Sequence, residues 1–360
     1  MDDKLINVGV LVPAISMEKY EKPTWWSFAG LFRAGKAQEN GINIFSFCQD
    51  DIDEETKTIK GRFFDVNGKL YEKVTVYPDI VDNYVFLKIV PNKGLQDLLT
   101  FSTFTRTLEK IPKDDVNNTL AKIESLQYFL NPYTQIENLE DLLDFLTKHN
   151  DKIFIKPSFS GGGGGSNLSS NDIYAKVVKH KNIFFVTTQK GKLRLSGEGF
   201  RNFFSKRLCG KKYIAEAYIN STIPTGESFK LRFNFKRGED GQYFFMSQHV
   251  DVSQSVSASI TFKGSYRIPI EEFLEKHFAH VKYHLIEQLE QMKSIFVNDF
   301  NEINGKTLFN IGVDVGIDRD LAKLKIFEVN TDNVAHREVE LNIKTCFDYY
   351  KYLYKQRQQN

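Results

Sequence analysis

The chain has 360 residues, 41% hydrophobic and 26% charged, so we expect a soluble globular protein with two or three domains. Its 48 basic and 46 acidic residues give a net charge of +2, which provides no general field for binding nucleic acid or an anionic membrane. Three widely spaced cysteines exclude a disulfide framework and a cysteine-based zinc site. With no signal-peptide pattern at Met1 and no apolar run of transmembrane length, we expect a cytoplasmic location.

The first 112 residues show the pattern of an α/β domain. A buried strand over residues 6–13, a helix and an alternating strand from Ile42 form a strand–helix–strand unit, which favours a parallel sheet. An Asn67-Gly68 turn predicts a hairpin, and residues 78–85 predict a further strand. We place a domain boundary near residue 112.

The rest of the chain predicts a mixture of helices and strands. Amphipathic helices are expected first over residues 120–130 and 139–146, and a long one later over 271–303. The half-exposed strand at 229–236 alternates apolar and polar residues. The other predicted strands lie at residues 152–156, 181–188, 213–219, 243–246, 308–317 and 323–329.

A lysine at the end of a strand precedes a run of glycines. Lys156 follows three apolar residues, and the run comprises Gly161, Gly162, Gly163, Gly164 and Gly165. Such a loop can wrap phosphate oxygens with its backbone N–H groups, and the nearby ammonium group adds charge. It is not a Walker loop, which requires Gly-Lys-Ser/Thr at its end. The alternative is a flexible linker, since glycine runs often serve only that purpose.

Two carboxylates and an amide lie on the last two predicted strands. Glu328 and Asn330 are two residues apart, so they share a face, and Asp314 meets them if the strands pair as a hairpin. Oxygen ligands of this kind suit Mg²⁺, which substrate phosphates commonly complete. The alternative is a polar set facing solvent, which the apolar neighbours disfavour.

Several histidines are weaker candidates for a site. His277, His280 and His284 have helical spacing that allows a shared face, but exposed positions explain them more simply than zinc. His336 and Arg337 follow Asn330 closely, so they would flank a metal at the carboxylate pair.

The order of these features resembles the ATP-grasp superfamily, and most of the chain is similar to the YheC/YheD (endospore coat-associated) family. Residues 78–83 and 121–134 resemble family segments at the first domain and at the entry to the ATP-grasp module. The Gly-Val-Asp314 and Phe-Glu328-Val-Asn330 motifs resemble its Gly-Ile-Asp and Glu-Val-Asn signatures, of which the second is the most specific.

The resemblance implies an α/β fold in which two ATP-grasp lobes clasp ATP behind an amino-terminal α/β pre-ATP-grasp domain. The implied domains are residues 1–112, a small lobe with the glycine-rich lid at 113–225, and a large lobe with the Mg²⁺ site at 226–360. Within them, Lys122 and Lys156 would hold phosphates under the glycine lid. The implied adenine-reading hinge comprises Glu216, Ala217, Tyr218 and Ile219.

The implied catalytic residues are Lys156 and Arg232, with Asp314, Glu328 and Asn330 holding Mg²⁺. Arg232 matches the arginine of the superfamily's Asp-x-Arg strand, although Lys230 replaces the aspartate. Other departures lie at Tyr84, at 259–264 and after Asn330, and they concern the acceptor pocket more than ATP binding.

The resemblance implies an ADP-forming carboxylate–amine ligase that uses ATP and Mg²⁺ and passes through an acylphosphate. Its partners would be small-molecule or peptide carboxylates and amines, with no nucleic acid or membrane partner and with homo-oligomerisation left open. The alternatives are a kinase or phosphotransferase on the same fold, and a non-catalytic nucleotide-binding protein associated with the spore coat.

Overall fold

The computed structural model describes residues 5–14, 25–65, 67–83, 90–109, 111–158, 173–188, 190–253, 265–303, 305–331 and 339–359. Within these ranges the strands form three sheets, which follow one another along the chain. The first belongs to an amino-terminal domain, and the second and third belong to two lobes. These lobes contact each other through Lys156 and the Phe327 carbonyl and through Lys113 and Glu328.

The amino-terminal sheet is mixed and has the strand order β3-β4-β2-β1-β6-β7, with β5 paired to β4. β1 runs parallel to β2 and β6, which confirms the predicted strand–helix–strand unit, and β4 and β5 form the predicted antiparallel hairpin. The elements are β1 (Ile6–Leu11), α1 (Trp25–Glu39), β2 (Ile42–Phe47), β3 (Ile52–Asp53), β4 (Thr58–Phe64), β5 (Leu70–Val76), β6 (Ile80–Asn83), α2 (Lys93–Phe101) and β7 (Thr103–Phe104).

The sheet of the small lobe is antiparallel, in the order β12-β11-β10-β9-β13-β8. Its elements and the helix before them are α3 (Lys113–Leu120), β8 (Tyr133–Gln135), α4 (Leu139–Lys148), β9 (Lys152–Pro157), β10 (Ala175–His180), β11 (Ile183–Thr188), β12 (Gly191–Ser196), α5 (Gly197–Arg207) and β13 (Tyr213–Ala217).

The predicted helix over residues 120–130 is wrong, because α3 ends at Leu120 and turns follow it. Leu120, Leu126 and Phe129 are all buried, and their spacing imitates a helical stripe. Turns and a short 3-10 segment bring these side chains to the same core. The helix over 139–146 is confirmed and continues to Lys148.

The sheet of the large lobe is also antiparallel, in the order β16-β15-β14-β17-β18. The single helix predicted over 271–303 is instead two helices, separated by a 3-10 turn at Ala279–Val281. The elements are β14 (Phe229–Arg237), β15 (Tyr243–Ser253), β16 (Ser265–Ile268), α6 (Ile270–Phe278), α7 (Lys282–Asn298), β17 (Asn310–Asp318), β18 (Lys323–Asn330) and α8 (Val339–Gln359).

Alternation along β14 separates an apolar face from a polar one, as the sequence predicts. The apolar residues of this strand are fully buried, and Phe229 and Phe235 pack against rings of the two covering helices, Phe273 at 4.7 Å and Phe296 at 5.4 Å. Successive strand residues project to opposite faces, so the polar residues lie on the other side of the sheet. These are Lys230, Arg232, Asn234 and Lys236.

The last helix returns to the amino-terminal domain. The ring of Tyr349 in α8 stacks on Phe309 at 4.7 Å, within a core that also contains Val8 and Ile80 of the first sheet. The predicted third domain therefore shares a core with the first, and the boundaries at 112 and 225 stay predictions. No helix of the described segments has the length and hydrophobicity needed to cross a membrane.

Candidate functional site

The polar face of the large-lobe sheet carries a row of four ionisable side chains, which are His249, Arg232, Asp314 and Glu328. Arg232 pairs across the strands with His249 on one side and Asp314 on the other, and Asp314 pairs with Glu328. Directly opposed residues of antiparallel strands project to the same face, so the register alone brings these groups together.

Asp314 is at the centre of this row and is almost fully buried. Its two carboxylate oxygens accept bonds from Arg232 Nε at 2.5 Å and Nη2 at 2.8 Å, in a bidentate pair. Lys230 Nζ and Asn330 Nδ2 each donate to Oδ2 at 3.0 Å. Burial alone would raise the pKa of Asp314, but the charges of Arg232 and Lys230 outweigh burial and lower it. The carboxylate is therefore ionised at neutral pH.

A β-bulge next to Asp314 shapes the second acidic position. Asp314 pairs with Glu328 and Val315 pairs with Ile326, so Phe327 is one residue more than the ladder needs. The carbonyl of Phe327 accepts a bond of 2.7 Å from Lys156 Nζ, across the junction between the lobes. The bulge thus provides the contact by which the small lobe reaches the acidic strand.

Glu328 faces the same junction. The ammonium group of Lys113 lies 3.1 Å from its Oε1. Burial raises the pKa of Glu328, but the charges of Lys113 and Lys156 more than compensate and lower it. The predicted metal-binding acids, Asp314 and Glu328, therefore lie side by side in ionised form, with Asn330 in contact with the first of them.

Lys156 is also half of a buried ion pair within the small lobe. Its Nζ lies 2.6 Å from Glu216 Oε1, and each side chain is only 7% exposed. Burial raises the pKa of Glu216, and the charge of Lys156 offsets this effect only in part. Lys156 thus joins a small-lobe carboxylate to the backbone of the large lobe, and the hinge role of Glu216 stays a prediction.

Sequence reasoning missed Lys113, the first residue of α3. Its side chain is buried between Glu328 and the ring of Tyr174, whose centroid is 5.7 Å from the ammonium group. Lys122, which the resemblance favoured, lies on an exposed turn after the same helix, so its phosphate-binding role stays a prediction. The sequence carries no signal for Lys113, since only the packing of α3 against β18 places it here.

The backbone of the predicted hinge is already partly engaged. Ala217 N donates to Pro132 O at 2.9 Å and Tyr218 N to Lys152 O at 3.2 Å, so these two amides are not available to a base in this arrangement. Tyr218 lies under the ammonium group of Lys176, 3.8 Å from the ring centroid, and Ile219 is buried. The adenine-reading role of this segment stays a prediction.

A second polar row flanks the first on the same face. Asp251 pairs across the strands with Lys230 and accepts from Arg267 Nε at 3.0 Å, and His249 Nε2 lies 3.5 Å from its Oδ1. Burial opposes ionisation of Asp251, but His249, Lys230 and Arg267 outweigh it and lower the pKa to about 2. The row therefore extends the set of charged groups towards β16, the edge strand of the sheet.

Several other predicted residues have different outcomes. Gly161–Gly165, His336 and Arg337 lie outside the described residues. His277 and His284 fall on separate helices, so the shared helical face does not form. No group of three or more His, Cys, Asp or Glu side chains suited to a metal occurs in the parts of the chain that the structure describes.

The donor set around Asp314 fits a hard divalent cation. It offers two ionised carboxylates and the amide oxygen of Asn330, which is the ligand chemistry that Mg²⁺ prefers. Arg232 and Lys230 neutralise Asp314 in this arrangement, so a cation would share the carboxylate with them or displace them. A rotation of the Asn330 amide would also be needed to present its oxygen.

Comparisons with known proteins identify the family and the fold. A family model described as YheC/D-like ATP-grasp matches residues 104–353. An N5-carboxyaminoimidazole synthetase from Staphylococcus aureus has a similar structure, with a TM-score of 0.51, 11% identity and coverage of 98% of this chain and 78% of that chain. At this identity the likeness concerns the fold.

Two further solved structures are similar over nearly their whole length. The ATP-grasp ligase PsnB, complexed with a minimal precursor, has 13% identity, a TM-score of 0.46 and coverage of 98% of this chain and 99% of its own. The macrocyclase MdnC from Microcystis aeruginosa, bound to the precursor peptide MdnA, has 12% identity, a TM-score of 0.45 and coverage of 96% and 99%. No protein of curated function matches this chain significantly in sequence.

Proposed function

Because the chain belongs to the YheC/D-like ATP-grasp family, we propose that it is an ATP-dependent ligase that joins a carboxylate to an amine and releases ADP and phosphate. One observation carries the proposal: Lys113, Lys156 and Arg232 converge with the ionised Asp314 and Glu328 where the two lobes meet. A nucleoside triphosphate needs both cationic groups for its phosphates and acidic groups for its metal, and both are present at this junction.

The proposed reaction has two steps. An oxygen of the substrate carboxylate attacks the γ-phosphorus of ATP, so a new O–P bond forms while the bridging O–P bond to the β-phosphate breaks and ADP leaves. The amine then attacks the acyl carbon of the acylphosphate, loses a proton and displaces inorganic phosphate. Neither step requires a nucleophilic side chain, so catalysis consists of positioning and charge neutralisation.

The residues of the junction divide this work. Lys113 and Lys156 would hold phosphate oxygens. In support, both side chains are buried at the junction, where Lys113 pairs with Glu328 and Lys156 bonds to the neighbouring Phe327 carbonyl. Arg232 has a planar guanidinium that suits the γ-phosphate and then the acylphosphate, once it is released from its bidentate pair with Asp314. The hydrogen bond that Lys156 Nζ donates to the Phe327 carbonyl links the two lobes.

Asp314, Glu328 and Asn330 would hold Mg²⁺. When bound, the ion supplies neutralisation of charge on the phosphate oxygens. The low pKa values of both carboxyl groups keep them ready as ligands at neutral pH.

The test is an ADP-release assay over a panel of carboxylates and amines, with mass analysis of the product. We expect ADP formation only with ATP, Mg²⁺ and both acceptors together, and a product that is the dehydrated adduct with free phosphate. Asp314→Ala and Glu328→Ala should each lower the rate at least 100-fold, because each removes one carboxylate from the metal-holding set.

The matched control is Glu287→Gln, which changes an exposed acid on α7 and should leave the rate unchanged. A phosphorylated acceptor with no amine requirement would replace the ligase by a phosphotransferase. Full activity in both alanine variants would contradict the metal assignment.

A further inference from the structure

The second step of the proposed reaction leaves one proton without an assigned acceptor. The attacking amine must lose an N–H proton as it joins the acyl carbon. Lys113, Lys156 and Arg232 offer no acceptor atom while they are protonated, and Asp314 and Glu328 belong to the proposed metal-holding set. The polar row that contains Arg232, Asp314 and Glu328 has one further member, and it is a histidine, the side chain that most often accepts a proton in catalysis.

The register of the sheet places this histidine, His249, beside Arg232. The two residues are direct partners in the antiparallel pairing of β15 with β14. Opposed residues of antiparallel strands project to the same face, with their Cβ atoms about 5 Å apart. An acylphosphate held by the Arg232 guanidinium would therefore lie next to the imidazole.

Asp251, two residues further along β15, orients the imidazole ring. His249 Nε2 lies 3.5 Å from Asp251 Oδ1, which also accepts a hydrogen bond of 3.0 Å from Arg267 Nε. Nε2 is buried and has no shorter contact with an acceptor in the described segments. The nitrogen that faces a carboxylate carries the proton of a neutral imidazole, so the lone pair remains on Nδ1. A base that is oriented by a third group in this way is typical of catalytic sites.

Nδ1 is the nitrogen of His249 that a substrate can reach. The side chain is 18% exposed, and Nε2 contributes none of this exposure because it is buried. Nδ1 is not a buried atom, and it makes no hydrogen bond to any residue that the structure describes. Its lone pair is therefore open to a proton donor.

The charged groups near His249 suit it to receive a proton. Those that face it in the described segments are Lys230, Arg232, Asp251 and Arg267. The three cations have no acceptor atom, and Asp251 is a weak base because its pKa is about 2. Since Asp251 stays ionised at neutral pH, it stabilises the imidazolium that forms when His249 takes up a proton.

We propose that His249 is the general base of the second step and that Asp251 positions it. This inference rests on the proposed ligase function. The amine nitrogen bonds to the acyl carbon while the C–O bond to phosphate breaks, and phosphate leaves with that electron pair. One N–H proton passes to His249 Nδ1, its electron pair stays on nitrogen, and the imidazolium then releases the proton to water. The first step needs no base, because the attacking carboxylate oxygen carries no proton.

The test measures the two steps separately, with the carboxylate and amine that the ADP-release panel identifies. Positional isotope exchange in ATP labelled with heavy oxygen, with the carboxylate alone, reports acylphosphate formation. Amide formation with both substrates reports the second step. His249→Gln should lower amide formation about 100-fold or more, because a positioned base contributes about that factor, and should leave isotope exchange within about twofold of the wild type.

The matched control is His284→Gln, which changes an exposed histidine on α7 of the same lobe. Its rates should equal those of the wild type in both assays. Asp251→Asn should lower amide formation about tenfold and leave isotope exchange unchanged, because the histidine is still present but no longer oriented. This variant also provides the test if His249→Gln does not fold.

Amide formation at the wild-type rate in His249→Gln would overturn the proposal. An equal loss of isotope exchange and amide formation would also overturn it, because such a loss indicates a structural role. A wild type that shows neither isotope exchange nor ADP release with any substrate pair would contradict the ligase function itself, and the proton transfer with it. The two failures are distinguishable, because only the second is seen in the wild type.

Discussion

The buried pair of Lys156 and Glu216 allows the most detailed prediction. Lys156→Met removes the ammonium group that lies 2.6 Å from Glu216 Oε1 and leaves the Glu216 carboxyl buried without its partner. Breaking a buried ion pair from one side costs about 3–5 kcal/mol. The carboxyl can limit this cost by staying protonated, so the loss of stability depends on how easily Glu216 binds a proton.

The magnitude follows from the pKa. Holding a carboxyl with an ordinary pKa of 4.5 in its protonated form costs about 1.4 kcal/mol for each pH unit above that value. The protonated carboxyl therefore costs the variant about 1 kcal/mol at pH 5 and about 3 kcal/mol at pH 7. The loss relative to the wild type is smaller than these figures, because the Glu216 pKa is already raised in the wild type. The pKa of the Glu216 carboxyl is higher in the folded state than in the unfolded state. The free energy of unfolding is therefore highest below the unfolded pKa and falls as the pH rises through the folded pKa.

The assay is urea unfolding followed by far-ultraviolet circular dichroism at pH 5, 6, 7 and 8. The loss of unfolding free energy relative to the wild type should grow steadily with pH in Lys156→Met. The double variant Lys156→Met/Glu216→Gln carries neither charge, so it should recover most of the loss and show little pH dependence. The reasoning is refuted if the single variant loses the same free energy at pH 5 and pH 8, or if adding Glu216→Gln restores nothing.

Three further predictions test other parts of the site. Lys113→Met should weaken ATP binding about tenfold or more in isothermal titration calorimetry, while Lys122→Met should change it less than twofold. The reason is that the Lys113 side chain is buried at the lobe junction, whereas Lys122 is exposed. A larger loss in Lys122→Met than in Lys113→Met would identify Lys122 as the phosphate ligand. Asp251→Asn should lower the free energy of unfolding by about 1–2 kcal/mol at pH 7, after allowance for solvent screening. This loss should vanish as the pH falls from 3.8 towards 2, because the pKa of the folded carboxyl is about 2. An equal loss at pH 7 and pH 2.5 in urea unfolding would disprove the charge network. Gly316→Ala should destabilise the protein by about 1–3 kcal/mol, because the added Cβ would lie 2.1 Å from the ring of Phe327, the bulged residue. The control Gly35→Ala meets no atom within 4 Å and should leave the melting temperature unchanged or raise it. Equal melting temperatures for the two variants would show that the ring moves freely.

Local patterns predicted a large part of this molecule. The alternation along β14 determined which residues face the core, and the two-residue spacing of Glu328 and Asn330 placed both on one face. The strand–helix–strand unit and the Asn67-Gly68 hairpin follow from short-range chemistry and formed as predicted. These features depend on neighbours in the sequence, so the sequence is sufficient for them.

Other features depend on contacts between distant segments, and the sequence alone did not predict them. The helix expected over 120–130 failed because apolar spacing does not distinguish a helix from turns that bury the same side chains. The helix predicted over 271–303 is two helices with a 3-10 turn between them, and α8 packs in the amino-terminal core.

The site itself shows the same division. The sequence determined its acidic set and its order of motifs, because Asp314, Glu328 and Asn330 belong to two neighbouring strands. Only the tertiary structure brought Lys113 to Glu328, over 215 positions of chain, and paired Lys156 with both Glu216 and the bulge. Whether a buried charge has a partner is decided by which surfaces pack together, and pairwise spacing along the chain does not contain that information.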